Sequence, residues 1–171
     1  MIPPFDNKTK CLPPGYHKAS FEEFKQRFVD DFPQSNTREE IFEEYIRHCS
    51  QIIPLEIAEK QWINGSYTKD EDNPNDIDLL TEFNGIEMDK KGITLHEVEN
   101  LTVDIPLEVD GGLVHSFPVV WYPEEEEELY KDYQNTKLRY LFSLWGIDKE
   151  YNLKGLIEFD IGVIEGALIE K

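Results

Sequence analysis

Cysteine, positive charge and long apolar runs are all scarce in this 171-residue chain, and each shortage closes off a class of function. Only Cys11 and Cys49 occur, in no metal-ligand spacing and too few for a disulfide framework. They read as unpaired structural thiols in a reducing compartment. Lys and Arg number 17 against 36 Asp and Glu, a formal net charge of −19. Such a surface repels phosphate backbones and attracts cations or basic partners, which argues against broad nucleic-acid binding. It remains compatible with a nucleotide substrate, because a bound divalent metal inverts the local field at a carboxylate site. No run approaches the ~20 apolar residues of a membrane span. Met1-Ile-Pro-Pro-Phe5 lacks the basic region and apolar stretch of a signal peptide. The expectation is a cytoplasmic protein without membrane contact. Also missing are a Walker-type glycine loop, His-Glu-x-x-His, Cys-x-x-Cys and a Gly-x-Ser-x-Gly elbow, which leaves nucleophilic and zinc chemistry without support.

What is present suffices for a core. Apolar residues make up 39% and aromatics 12%, so the 31% charged fraction reads as a hydrated surface. Pro3, Pro4, Pro13, Pro14 and Gly15 make residues 1–19 an extended, irregular arm, and Ile2, Phe5, Leu12 and Tyr16 give it the means to dock on a single domain spanning 20–171.

Two capping boxes announce helices. Ser20 stands three residues before Glu23, with Phe21, Phe24 and Phe28 at helical spacing behind it. Thr37 and Glu40 repeat the pattern before Ile41, Tyr45, Cys49 and Ile52 or Ile53, a face that ends ahead of Pro54. Strands are expected over 61–64, 77–83 and 113–122. Strict alternation from Leu101 to Val109, with Pro106 on the polar side, predicts an edge strand. Glu124 to Glu128 open a long helix whose acidic start suits its dipole, and Gly146 stops it. Ile157, Phe159, Ile161 and Val163 alternate as a closing strand. The class is α/β (α+β), a mixed sheet flanked by helices.

One stretch carries chemistry. A strand end leads into Gly65-Ser66, then a nine-residue spacer, then Asp76-Ile-Asp78. Gly65 lets the backbone approach a phosphate, and the Ser66 hydroxyl and nearby amides can donate to its oxygens. Asp76 and Asp78, two apart on a strand, point to one face. Side by side they repel unless protonated or bridged, and Mg²⁺, which takes carboxylate and phosphate oxygens together, is the natural bridge.

This pattern resembles the nucleotidyltransferase superfamily, whose motif is Gly-Ser, a comparable spacer, then Asp-x-Asp. Met1-Ile-Pro-Pro-Phe5, Leu12-Pro-Pro-Gly-Tyr-His17, Ser20-Phe-Glu-Glu-Phe24, Asn64-Gly-Ser-Tyr-Thr68 and Lys154-Gly-Leu-Ile157 extend the resemblance to a small bacterial and phage family of stand-alone nucleotidyltransferase-like proteins. The resemblance implies a minimal nucleotidyltransferase-like fold. It also implies Mg²⁺-dependent transfer of a nucleotidyl group from a nucleoside triphosphate to an acceptor the sequence does not name. Asp76 and Asp78 would hold the metals, Gly65 and Ser66 the triphosphate, and a third carboxylate would complete the catalytic set.

The pattern puts that third acid around His115 and Ser116, where this chain has none; Asp104 is the replacement candidate. His115, alone among apolar neighbours, reads as a structural histidine. The missing acid and the charge of −19 motivate an alternative. In it, a catalytically weak or inactive fold acts as an acidic antitoxin or phage or bacterial conflict inhibitor that binds a basic protein.

Overall fold

In a computed structural model, residues 1–102, 112–144, 146–147 and 150–169 are described. Their frame is a five-stranded mixed sheet in the order β1-β5-β2-β3-β4, with six α-helices around it among the described residues. The strands are β1 (Gly15–Lys18), β2 (Ala58–Asn64), β3 (Ile77–Asn84), β4 (Val114–Trp121) and β5 (Gly155–Asp160). β2 pairs antiparallel with both β3 and β5, whereas β3 runs parallel to β4 and β1 parallel to β5. The mixed α+β class read from the sequence is the one observed. No described helix is long and apolar enough to cross a membrane.

β3 is covered on both faces. Ile77, Leu79 and Phe83 face one side, where Ile77 and Leu79 join the aromatic core. Leu80 packs on the other with Trp62, Val119, Tyr133, Leu141 and Leu156. Such two-sided burial accounts for the lack of a strict apolar–polar alternation, and it puts Thr81 and Glu82 in the interior as well. Its one buried acid, Glu82, is paired: Lys137 donates to it at 2.9 Å and the Tyr133 hydroxyl at 2.6 Å.

Helix α1 (Phe21–Lys25) starts as its capping box predicts, with the Ser20 hydroxyl accepting from the Glu23 amide at 3.1 Å, and it runs on through a wider π-helical turn to Asp30. Helix α2 (Arg38–Ile52) differs at its start. The Thr37 side chain caps nothing; its hydroxyl donates to the Pro74 carbonyl at 2.8 Å, and the Ser35 hydroxyl accepts from the Arg38 amide instead. Aromatic rings from both helices interlock, with Phe24 and Phe28 centroids 4.9 Å apart, and Tyr67 seats itself on the same cluster. Each fully buried ring contributes about 1.5–3 kcal/mol. Cys49 lies in this core, where burial pushes its thiol up to about 12, and Cys11 is also buried and forms no disulfide. Neither thiol is poised for redox or metal work.

Three other expectations change. Residues 1–19 are not irregular throughout, since Gly15–Lys18 adds an edge strand beside β5. The alternation beginning at Leu101 does not begin as a strand: Leu101 and Thr102 close helix α4 (Leu95–Thr102), after α3 (Gly85–Lys91), and the rest of that stretch, Asp104 and Pro106 included, lies outside the described residues. The closing strand stops at Asp160. Ile161 and Ile164, buried at helical spacing, belong to α6 (Ile161–Ile169). The glutamate-led helix α5 (Glu127–Leu138) carries Glu127 and Glu128 in its first turn, with Glu124–Glu126 in the preceding turn.

Candidate metal centre

The site is built where β2, β3 and β4 end side by side. Asn64 pairs with Asp78 across β2 and β3, and Asp78 pairs with His115 across β3 and β4. The Ile77 amide, between the two aspartates, donates to the Leu113 carbonyl at 2.9 Å, so the backbone carrying both carboxylates is fixed to the start of β4. His115 Nδ1 lies 3.5 Å from Asp76 Oδ2 and 3.7 Å from Asp78 Oδ1. One donor atom from each of Asp76, Asp78 and His115 falls within 4.8 Å of the others. The side chains are 29%, 27% and 41% exposed, respectively, so an ion could reach them from solvent.

Gly65 closes this arrangement from the β2 side. Its φ is +85°, in the left-handed region that glycine alone adopts without strain, and an added Cβ would stand 2.5 Å from Asp78 Oδ2. The bare Cα is therefore what lets the turn lie against the carboxylate. Ser66 follows on that turn, half-buried; its carbonyl accepts from the Lys69 amide, while its hydroxyl makes no hydrogen bond among the described residues.

The loop from Gly65 to Asn75 is anchored by Arg38, a residue the sequence reading passed over. Its guanidinium is buried and makes five hydrogen bonds to four carbonyls, those of Phe28, Tyr67, Lys69 and, twice, Glu71, at 2.7–3.1 Å. It stacks over the Phe32 ring at 3.8 Å. Burial pulls its pKa down to about 10, with Tyr67, Glu71, Asp72 and Asp70 opposing. The Tyr67 hydroxyl donates back to the Arg38 carbonyl. Further along, the Asn36 amide and Thr37 hydroxyl hold Asn73 and Pro74, and Lys10 pairs with Asp70. A basic residue in the first turn of α2 opposes the helix dipole, and that misplacement was the available sequence signal.

Burial and then the neighbouring Asp76 raise the Asp78 carboxyl above the usual carboxylate range; His115 and Lys154 pull the other way. Because the folded pKa exceeds the unfolded one, the fold penalises the ionised form. The contribution of Asp78 to stability is present below the unfolded carboxylate range and is lost as pH rises through the folded pKa. Metal-free Asp78→Asn should therefore melt at a higher temperature than wild type at neutral pH, with the gap closing on acidification. Thermal melts in chelator between pH 4 and 8 check this, and a wild type more stable than the variant at pH 7 contradicts it.

Of the residues singled out from sequence, the structure brings Gly65, Asp76 and Asp78 together, with Ser66 on the adjoining turn. His115 stands where an acid was expected, and it faces both aspartates instead of serving only the core. The features so far define an α+β protein with a three-donor cluster at the ends of its central strands. The chain belongs to DUF6932, a family of unknown function, whose profile matches residues 3–160. No curated protein and no solved structure matches it.

Proposed function

We propose that this protein is a nucleotidyltransferase-like enzyme that uses a divalent cation to transfer a nucleotidyl group from a nucleoside triphosphate to an acceptor. The observation that carries the reading is Gly65 lying against Asp78 while Asp76 and His115 close the other sides. The donor set fits a divalent ion: two carboxylates repel when empty, and a third ligand atom lies in reach of both. Mg²⁺ was the ion expected from the sequence. When bound, such an ion would neutralise phosphate charge and polarise the phosphorus under attack.

The chain's own residues have separate tasks. Asp78 on β3 and Asp76 just ahead of it would hold the cation, and the bond from the Ile77 amide to the Leu113 carbonyl fixes the backbone between them. The Gly65-Ser66 turn offers an unshielded backbone and a free hydroxyl to phosphate oxygens. Arg38, through the loop it anchors, positions that turn. The acceptor would form a bond to the α-phosphorus as the bridging bond to the β-phosphate breaks, releasing pyrophosphate. With a net charge of −19, the protein has few cations of its own to attract a triphosphate, which makes a bound ion the more necessary.

Calorimetry with Mg²⁺ and a nonhydrolysable triphosphate tests the reading. Wild type should bind both, and Asp76→Asn and Asp78→Asn should each abolish the signal while leaving the fold intact by circular dichroism. A wild type that binds no nucleotide, or an Asp78→Asn variant that binds it equally well, sinks the proposal.

A second reading rests on the histidine at the expected acid position and on the acidic surface: a weak or inactive fold that binds a basic protein as an antitoxin or conflict inhibitor. Robust nucleotide transfer with no partner captured from host lysate would remove it.

A further inference from the structure

We propose that the Asp76, Asp78 and His115 site selects Mn²⁺ over Mg²⁺. This rests on the cation-binding part of the reading above, and it follows from the third donor being a ring nitrogen. Mg²⁺ demands a nearly ideal octahedron and gives up water reluctantly. Imidazole suits the later first-row ions best, and Mn²⁺, at the weak end of that series, is the one that shares the Mg²⁺ preference for carboxylate and water while tolerating a nitrogen donor better. Carboxylates suit Mg²⁺ and Mn²⁺ alike. The nitrogen therefore decides between them.

The nitrogen's placement is structural. His115 sits on β4 directly across from Asp78 in a parallel register, and neighbouring pairs Ile77 with Val114 and Leu79 with Ser116 fix that register on either side. Nδ1 is the ring atom that faces both carboxylates, at 3.5 and 3.7 Å. Two ligands on one octahedral ion at about 2.1 Å stand roughly 3 Å apart. The ring nitrogen is thus within about 0.5–0.7 Å of ligand spacing from each carboxylate, a gap that side-chain rotation can close. Three protein donors leave coordination positions for water or phosphate oxygens, as a site that also receives a nucleotide requires.

The experiment uses the full chain stripped with chelator. Mn²⁺ binding is followed by EPR, Mg²⁺ is added as competitor, and nitrogen modulation is read from the pulsed EPR spectrum. Mn²⁺ outbinds Mg²⁺ modestly even at oxygen sites, so His115→Asp supplies the reference ratio. Wild type should favour Mn²⁺ by about tenfold or more beyond that reference and show a directly coupled nitrogen. His115→Ala should lose the coupling and most of the preference while still binding Mn²⁺ weakly. Equal ratios in wild type and His115→Asp, or Mn²⁺ bound without coupled nitrogen, overturn the inference. If the coupled nitrogen is seen but no nucleotidyl transfer occurs, the inference holds and the enzymatic reading fails. If transfer runs on Mg²⁺ in a protein whose Mn²⁺ shows no nitrogen, the reverse is true. A wild type that binds neither ion leaves only an ion pair among the three side chains, and both fail.

Discussion

Arg38→Ala should lower the unfolding free energy by about 3–5 kcal/mol and remove cation binding, although Arg38 touches no residue of the three-donor cluster. The guanidinium satisfies the carbonyls of Phe28, Tyr67, Lys69 and Glu71. A buried carbonyl left without a donor costs about 1–3 kcal/mol. Water can reach the Lys69 and Glu71 end of the cavity, which holds the total below the sum of four such penalties. Loss of the ring stack on Phe32 adds to it. Arg38→Lys should recover less than half, because one ammonium cannot span carbonyls that a planar fork reaches from both edges. The site fails through the loop: with the Tyr67, Lys69 and Glu71 carbonyls released, the turn at Gly65 loses its support. Hydrogen exchange should then quicken first at the Lys69 amide, which bonds to the Ser66 carbonyl within this loop, and at the Asp70 amide, which bonds to the Lys10 carbonyl on the N-terminal arm. An Arg38→Ala protein that melts within a degree or two of wild type and keeps its cation affinity contradicts the account.

How much of this was legible in the sequence depended on whether a residue's partners lay nearby in the chain. The Gly65-Ser66 and Asp76-x-Asp78 spacing was readable because a strand end, a turn and a second strand are local features. The pairing of β2 with β3 then follows from the loop joining them. Arg38's role was not readable beyond its misplacement against the helix dipole, because its loop partners lie 29–33 residues ahead and a charged residue at a helix start ordinarily faces water. His115 was hidden for a similar reason. Leu-Val-His-Ser-Phe says only that a strand passes; the parallel register with β3 is what sets its ring beside Asp78. The end of β5 was misread because Ile157, Phe159, Ile161 and Val163 continue a period of two across the point where the chain turns helical, and only burial of Ile161 with Ile164 separates the two periods. At Thr37 the capping-box spacing was correct and its use was not, since Pro74 offered the hydroxyl a tertiary acceptor and Ser35 supplied the cap.

The sharpest test of the site's construction is Gly65→Ala compared with Gly92→Ala. Both glycines have positive φ, +85° and +68°, so alanine at either costs about 1–2 kcal/mol of backbone strain. Their surroundings differ. A Cβ at Gly92 meets nothing within 4 Å, while one at Gly65 meets Asp78 Oδ2 at 2.5 Å and Cγ at 3.2 Å. Asp78 has a short side chain on a paired strand, so it can yield only by rotating its carboxylate, away from Asp76 and His115. Gly65→Ala should therefore lose at least as much stability as Gly92→Ala in metal-free denaturant titrations. Only Gly65→Ala should lose cation affinity, by about 10–100-fold, the range seen when groups that orient metal ligands are altered. Gly92→Ala, in the αL cap that ends α3, should bind as wild type does. Equal affinities in the two variants would mean that the close approach of Gly65 to Asp78 serves only the turn. A selective loss at Gly65 would mean the glycine is there because the carboxylate must point inward, toward a ligand that the two aspartates and the histidine hold in common.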